Sequence, residues 1–420
     1  MYRKLLTTTA LIASIGTVSQ AQDRAAVLTN YADIAAAAYG DSLTTAQALS
    51  VAVDALIAAP SEQTLADART AWLAARVPYQ QTEVYRFGNA IVDDWEGNVN
   101  AWPLDEGLMD YVDVGYGGPT DENELAVLNV VANPVLMIGG VEVDASVITP
   151  DLIANTLNNA DEVGSNVARG YHAIEFFLWG QDLNGTGPGA GERPFTDYIQ
   201  GDGCTNGNCD RRVQYLRAAT DLLVTDLSEM TANWAEAGPA RATLMADDTA
   251  GISAILTGMG SLAYGEQAGQ RMRLGLLLND PEEEHDCFSD NTHNSHFYDG
   301  LGMQNIYLGR YVRIDGSVVE GASLSNLVAA SDAALDAEML GKLTVTMDAL
   351  GAIKTAAEGG MAYDMMLAQG NAEGEALIMG GVNGLIDQTK TVERIVSALG
   401  LDQISFEGSD SIDNPDAVFQ

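Results

Sequence analysis

A histidine and a glutamate three residues apart form the strongest chemical feature of this sequence. His172 and Glu175 stand in residues 170–180, which read Gly-Tyr-His-Ala-Ile-Glu-Phe-Phe-Leu-Trp-Gly. On a helix, such positions share a face, so the imidazole and the carboxylate can reach one point. The adjacent apolar stripe predicts a buried seam and consists of Val167, Tyr171, Ile174 and Leu178. Buried polar groups must be paired or bind something, so the pattern allows either a metal site or an intrahelical hydrogen-bonded pair.

A second stripe of aromatic and charged residues follows one face of another predicted helix. Its members are Trp72, Arg76, Tyr79, Glu83 and Arg86. Charges on a buried face need partners inside the protein. Glu83 could complete a metal site with His172, while the two arginines could hold carboxylates in place or bind an anion. A structural Arg–Glu network without a ligand explains the same spacing. Within this stripe, Pro78 should kink the helix.

A histidine-rich and acidic segment lies between residues 282 and 299. It holds three of the four histidines of the chain, and its candidate ligands are His285, His293, His296 and Asp290, with Asp286 and Asp299 nearby. Imidazoles with carboxylates suit zinc, iron or copper better than calcium. Alternatively, these residues cap helices and bond to backbone in a long buried turn. A contact with His172 would unite both sets in one site, but the sequence does not settle it.

Several catalytic motifs are missing from the sequence. No His-Glu-x-x-His is present, and Phe176 follows Glu175 where a second zinc ligand would stand in the inverted motif. There is also no Gly-x-Ser-x-Gly elbow and no phosphate-binding loop ending in Gly-Lys-Ser/Thr. A helix-borne zinc peptidase of the common kinds is therefore disfavoured.

The beginning of the chain is typical of an exported protein. Arg3 and Lys4 precede an apolar stretch, and Ser19-Gln20-Ala21 offers small residues at a cleavage site, so we predict a signal peptide over residues 1–21. No later stretch reaches about 18 uninterrupted apolar residues, so we expect no transmembrane segment in the mature chain. The net charge of −39 argues against nucleic acid as a partner, because a strongly anionic surface repels phosphate, and it favours cations.

Apolar residues three and four positions apart predict an all-α fold. The expected helices lie at 24–39, 43–59, 62–88, 161–179, 208–237, 249–277, 323–357 and 371–400, with one short hairpin near 141–147. A Gly-rich irregular segment interrupts them over 183–192 and 200–210. We therefore predict two helical-bundle domains joined by that segment, an N-terminal one over about 23–195 and a C-terminal one over about 210–405.

Two of the three cysteines stand close together in a Gly/Asn-rich loop. Cys204 and Cys209 are predicted to form a local disulfide in an oxidising compartment, because two further nearby zinc ligands are missing. Cys287 is left over. It could be a buried thiol, a metal ligand or a redox-sensitive site.

Several of these motifs resemble the imelysin family, and most closely its iron-regulated branch. Residues 170–182 resemble the family's Gly-x-His-x-x-Glu signature, and the likeness extends over residues 79–88, 100–106, 193–195 and 285–293. The resemblance covers most of the mature chain. It implies two helical bundles, a location in the periplasm or at the outer membrane, and a role in iron uptake.

The resemblance also implies a set of metal ligands. His172 and Glu175 match the signature letter for letter, Glu83 is an additional ligand by the same likeness, and Asp105 is a weaker one. Iron is the expected metal, handled beside a membrane iron-transport component. The family's names also refer to a peptidase, so zinc-dependent proteolysis at the same motif is the alternative. The absent third ligand leaves the question of an enzyme open and leaning towards none.

Overall fold

The computed structural model describes the backbone of residues 11–419 and the side chains of residues 23–419. Positions 1–10 of the predicted signal peptide lie outside the described residues. Its remaining positions are described only as helical backbone. Its function as a signal stays a prediction. Among the described helices, none combines the length and apolar character needed to cross a membrane.

The protein is all-α, with two small hairpins. The first half contains α1 (Leu11–Ala58), α2 (Glu62–Gln80), α3 (Ala90–Glu96), α4 (Glu106–Met109), the antiparallel pair β1 (Val135–Ile138) and β2 (Val141–Asp144), α5 (Pro150–Leu152) and α6 (Gly170–Trp179). Between them lie short 3-10 turns at Glu83–Tyr85 and Ala160–Glu162 and a π turn at Ile153–Leu157.

The second half is also mainly helical. It contains α7 (Cys209–Asn233), α8 (Pro239–Met245), α9 (Asp248–Ser261), a π-helix (Leu262–Arg273), α10 (Leu274–Leu278), α11 (Thr292–Leu308), the antiparallel pair β3 (Arg310–Val312) and β4 (Val318–Glu320), α12 (Leu324–Ser331), α13 (Ala333–Glu358), α14 (Tyr363–Leu367), α15 (Ala372–Ala398) and α16 (Asp410–Asp413). Single 3-10 turns lie at Phe195–Tyr198, Gly201–Gly203, Pro281–Glu283 and Pro415–Phe419.

Several predicted helix boundaries are wrong. The helices expected at 24–39 and 43–59 are one helix, because Gly40 has no positive φ and the buried Asp41 beside it is held by Tyr311 and Arg313. The helix expected at 323–357 is divided at Asp332, whose side chain caps α13. The helix expected at 161–179 begins only at Gly170, whose positive φ and extended neighbour Arg169 end the preceding loop. The helix expected at 62–88 ends at Gln80, two residues after Pro78.

The longest helices pack against one another around a continuous apolar core. Helix α1 packs on α2 and α7, α13 packs on α15, and α11 from the second half packs on α2 from the first. The buried apolar side chains of this core form one connected cluster, whose members lie between Val27 and Leu401 in the sequence. Because the two halves share this core, the predicted division into two domains stays a prediction.

The irregular middle segment contains a disulfide between Cys204 and Cys209. It closes the loop that leads into α7, whose first residue is Cys209. Cys287 is a free, half-buried thiol far along the chain, and burial raises its pKa well above the ordinary value. That shift keeps Cys287 in the unreactive thiol form at neutral pH.

Candidate metal centre

Helix α6 presents His172 and Glu175 on one buried face, as their spacing predicts. Both side chains are inaccessible to solvent, and His172 Nδ1 lies 3.1 Å from Glu175 Oε2. Helix α6 is apolar on every side, so the two polar groups sit inside the protein and not on a surface. The intrahelical pair that the sequence allowed is therefore present.

The start of α6 depends on a close approach that only glycine permits. Gly170 has a φ of +84°, and a Cβ at this position would lie 2.5 Å from the Val99 carbonyl oxygen. The next residue, Tyr171, donates its N–H to the same oxygen at 2.7 Å. Gly170 therefore sets the position of the first turn of α6, which carries His172.

The substitution Gly170→Ala is expected to lower the free energy of unfolding by about 2 kcal/mol or more, because it adds both backbone strain and a clash with Val99. Urea denaturation would measure the loss. Gly341→Ala is the matched control, since Gly341 lies within α13 and a Cβ there meets nothing within 4 Å. The control should gain up to about 1 kcal/mol. Equal effects from both substitutions would contradict this account of Gly170.

The segment before α11 brings a second imidazole and a carboxylate to the same point. The ring centroids of His285 and His172 are 4.7 Å apart. Asp286 Oδ1 lies 3.9 Å from Nδ1 of each histidine. Within the described residues, these three are the one set of potential metal ligands whose donor atoms all lie within 4.8 Å of one another, and all three are buried.

Asp286 is held in place from several sides. Arg76 of α2 donates to its two oxygens at 2.7 and 3.4 Å, and the Ser295 hydroxyl and the Asn291 amide donate to Oδ2 at 2.5 and 2.7 Å. The Arg76 guanidinium in turn lies 5.0–5.7 Å from the ring centroids of three aromatic residues, Trp72, Tyr79 and Tyr171. Such a network fixes the carboxylate orientation before any ligand arrives.

Glu175 is anchored to the same segment. Its Oε1 accepts hydrogen bonds from the Ser289 hydroxyl at 2.6 Å and from the Ser289 N–H at 3.0 Å, while Oε2 faces His172. The segment from His285 to Ser289 is thus tied to α6 at two places. It also leaves Glu175 as the residue that orients the His172 ring.

Burial and charge set the protonation states that a metal site requires. Burial, with Arg76 nearby, lowers the pKa of His172 to about 3, and burial lowers that of His285 well below its ordinary value. Burial raises the pKa of Asp286, but the Arg76 charge outweighs it and the net shift is downward. Burial raises the pKa of Glu175 well above its ordinary value. At neutral pH the centre therefore offers two neutral imidazoles and one carboxylate.

Two ring nitrogens at this point have no hydrogen-bond partner. They are His172 Nε2 and His285 Nδ1, both fully buried. A buried nitrogen without a partner costs free energy unless a ligand satisfies it. Neutral imidazole nitrogens left open in this way are suited to a metal ion.

A cleft of about 540 Å³ reaches the centre at His285. Its wall includes Trp102, Arg86 and Arg271, with carboxylates at Glu96 and Glu266. Each arginine is paired with acids. Arg86 bonds Asp93 and Glu266, and Arg271 contacts three carboxylates at 2.6–3.3 Å, those of Glu83, Glu266 and Asp299. Acids thus outnumber bases, so the cleft attracts cations.

Two of the predicted ligands lie elsewhere. Glu83 is buried in its ion pair with Arg271 at 2.6 Å and belongs to no close group of ligands with His172. Asp105 is half-buried and accepts hydrogen bonds from the Tyr116 and Ser165 hydroxyls and the Asn123 amide. Glu83 is thus part of the structural Arg–Glu network that the sequence left open, together with Arg86.

The histidine-rich segment divides between the centre and its surroundings. His285 joins His172, but His293 Nε2 lies beside the Asn294 amide and the His296 ring packs on Tyr363, with centroids 5.0 Å apart. Asp290 forms no close ligand group with these histidines. The sequence missed Asp286 as a ligand of the His172 site, although its position next to His285 was a signal of this role.

The comparisons with known proteins agree with this architecture. The family model described as Imelysin, peptidase M75, matches residues 35–392. An iron-regulated protein A precursor from Parabacteroides distasonis superposes with a TM-score of 0.65 at 20% identity, over 90% of this chain and 95% of that one. An imelysin-like protein from Psychrobacter arcticum gives 0.60 at 16% identity, over 92% and 98%.

Identities this low show a shared fold alone. No curated protein matches the chain. The family model, however, spans most of the sequence, including both His172 and the segment that carries His285 and Asp286. On that match, together with the helical fold, this chain belongs to the imelysin family.

Proposed function

We propose that this protein binds an iron ion at the centre formed by His172, His285 and Asp286. The observation that carries the proposal is the convergence of three buried donor atoms within 4.8 Å of one another. Ligands about 2.1 Å from one ion lie roughly 3.0–3.4 Å apart in octahedral or tetrahedral geometry. The 3.9 Å separation between His285 Nδ1 and Asp286 Oδ1 needs only a small contraction to reach that range, and His172 offers its open Nε2, since its Nδ1 faces Glu175.

The donor set favours iron. Two histidines and one carboxylate with further positions open are the facial arrangement typical of non-haem ferrous sites. Glu175 holds the His172 ring, and Arg76 holds Asp286, as the partners of metal ligands commonly do. A zinc peptidase using the same residues is the weaker alternative, because Glu175 Oε1 is bonded to Ser289 and Oε2 to His172, which leaves neither oxygen to act on a water.

We further propose that the protein works outside the cytoplasm in iron uptake. The predicted signal peptide supports export, and the family's neighbours include a protein described as iron-regulated. The acidic cleft and the net charge of −39 would raise the local concentration of cations at the entrance. A membrane iron-transport component is the expected partner to receive the ion.

Protein purified from the periplasm of cells grown in iron-replete medium should contain about one iron per chain, and less after growth in iron-poor medium. Elemental analysis measures this ratio directly. Anaerobic titration of the metal-free protein with ferrous ion should reach the same stoichiometry. Zinc in place of iron under both conditions, with cleavage of an unfolded peptide substrate, would replace this proposal by the peptidase. Protein free of either metal would exclude both.

A further inference from the structure

The segment that carries His285 and Asp286 also borders a small cavity lined by acidic residues. Glu284 lines this small, partly open cavity together with Asp364 of α14, Asp182 and Glu282. The remaining walls are Gly185, Pro281, Cys287 and Phe288. The cavity leaves about 10 Å³ for the centre of an occupant, which is close to the space that one water or one ion needs.

Two of the four carboxylates in this cavity are buried, whereas Glu282 is exposed and Asp182 is half-buried and bonded to Asn184. Glu284 is fully inaccessible to solvent and Asp364 is 2% exposed. None of their four oxygens makes a hydrogen bond of normal geometry; the Thr292 hydroxyl acts on Glu284 and the Met365 N–H acts on Asp364, but only weakly, and Asp290 Oδ1 nearby has no partner. Buried carboxylate oxygens normally accept several hydrogen bonds, so two buried side chains with so few donors around them indicate a missing positive group.

Two other deeply buried acids are compensated by arginine. Asp110 lies 2.7 Å from Arg193, and Asp286 lies 2.7 Å from Arg76. The charges that act on Glu284 and Asp364 instead come from other carboxyl groups, chiefly Asp290 and Asp182. Among residues 23–419, no cationic side chain forms an ion pair with Glu284 or Asp364.

The electrostatic consequence is a group of acids that resist ionisation. Burial, then Asp364 and Asp182, raises the pKa of Asp290 to about 7. Burial, with Asp182, raises that of Asp364 to about 6. Near neutral pH these acids are therefore balanced between taking up protons and binding a cation. A divalent cation would satisfy several oxygens at once, whereas each proton satisfies one.

We propose that this cavity is a second cation site, separate from the His172 centre, that takes a hard divalent ion such as Ca²⁺ or Mg²⁺ between Glu284 and Asp364. Carboxylate oxygens are the ligands that such ions prefer. Because no three carboxylates here come within 4.8 Å of one another, Asp182 and Asp290 would act through retained water. Glu284 and Asp364 supply the direct contacts.

The position of this site gives it a structural effect on the first. An ion between Glu284 and Asp364 fastens the segment before α11 to α14. The same segment holds His285, Asp286 and the Ser289 groups that bind Glu175. Occupancy of the acidic cavity would therefore stabilise the arrangement of ligands at the His172 centre.

Thermal unfolding of the full mature chain, stripped of metal by a chelator and then dialysed, tests the proposal. Addition of Ca²⁺ or Mg²⁺ at about 100 times its dissociation constant should raise the midpoint by about 3 °C. Asp364→Asn and Glu284→Gln should abolish the rise. In chelator these variants should melt no lower than the unsubstituted protein, because each removes an unpaired carboxylate.

Two further variants of this chain serve as controls. Asp348→Asn removes an exposed acid of α13 and should keep the full rise. His172→Ala should also keep it, because the acidic cavity does not use the imidazole. The proposal is overturned if neither ion shifts the unsubstituted protein, if both cavity variants still respond, or if His172→Ala loses the response. Calcium calorimetry on iron-loaded protein, expected to give one site per chain, covers the case in which a variant does not fold.

Discussion

Replacing His172 by alanine is expected to weaken ferrous binding by more than about 100-fold, which exceeds the usual effect of removing a residue that merely orients a ligand. The substitution deletes one of three converging donors and leaves Glu175 without its partner. The two remaining ligands, His285 and Asp286, lie on one short segment and cannot enclose an ion by themselves. Competition titration against a ferrous chelator of known affinity would measure the change.

The control for this prediction is another histidine of the same region. His293 lies outside the centre, is half-buried, and its Nε2 lies 3.0 Å from the Asn294 amide. His293→Ala should leave ferrous affinity within about 3-fold of the unsubstituted protein, a difference of under 1 kcal/mol. If the two alanine variants lose affinity equally, the ion is bound elsewhere and the His172 centre is excluded.

The sequence predicts the local half of this site and leaves the distant half undetermined. The spacing of His172 and Glu175 places both on one face of any helix, so their convergence follows from local geometry. The contact with His285 joins residues more than a hundred positions apart, and no local pattern encodes it. The composition of the histidine-rich segment was visibly unusual in the sequence. Only the tertiary fold shows that His285 joins the centre while His293 and His296 lie outside it.

Charged stripes are harder to interpret than the histidine motif. Glu83 was predicted on the same helix face as Trp72 and Arg76, but it lies in the 3-10 turn after α2, and its partner is Arg271, on a π-helix 188 residues later in the chain. A π-helix shifts every following side chain around the axis, so the period of 3.6 residues fails to predict which ones meet. The same buried carboxylate can thus serve an ion pair or a metal, and the choice rests on what the distant chain supplies.

The apolar positions predicted the helices better than the charged positions predicted the site, because a buried apolar side chain needs no specific partner. Periodicity located α7 and α15 to within a few residues, whereas it merged α12 with α13 and did not separate α9 from the π-helix and α10 that follow it. It failed where a glycine or a cap decided the outcome. Gly170 delayed the start of α6, whereas Gly40 did not interrupt α1, where Asp41 is held by Tyr311 and Arg313. These are competitions of about 1 kcal/mol, which composition alone does not resolve.

Arg76→Met should be the most destabilising single change at the centre, lowering the free energy of unfolding by about 3–5 kcal/mol. Methionine retains much of the apolar contact with Trp72, Tyr79 and Tyr171, so the loss reports mainly on Asp286, which would be left as an unpaired buried carboxylate. Urea denaturation of the metal-free protein measures it.

A second substitution separates this electrostatic cost from lost packing. Asp286→Asn in the Arg76→Met background removes the unpaired charge and should recover more than half of the stability. Saturating ferrous ion should also narrow the difference between Arg76→Met and the unsubstituted protein, because the ion would replace the guanidinium as the partner of Asp286. If neither the second substitution nor ferrous ion restores the free energy of unfolding, Arg76 acts through packing. The charge of Asp286 would then not be a driving force for cation binding beside His172.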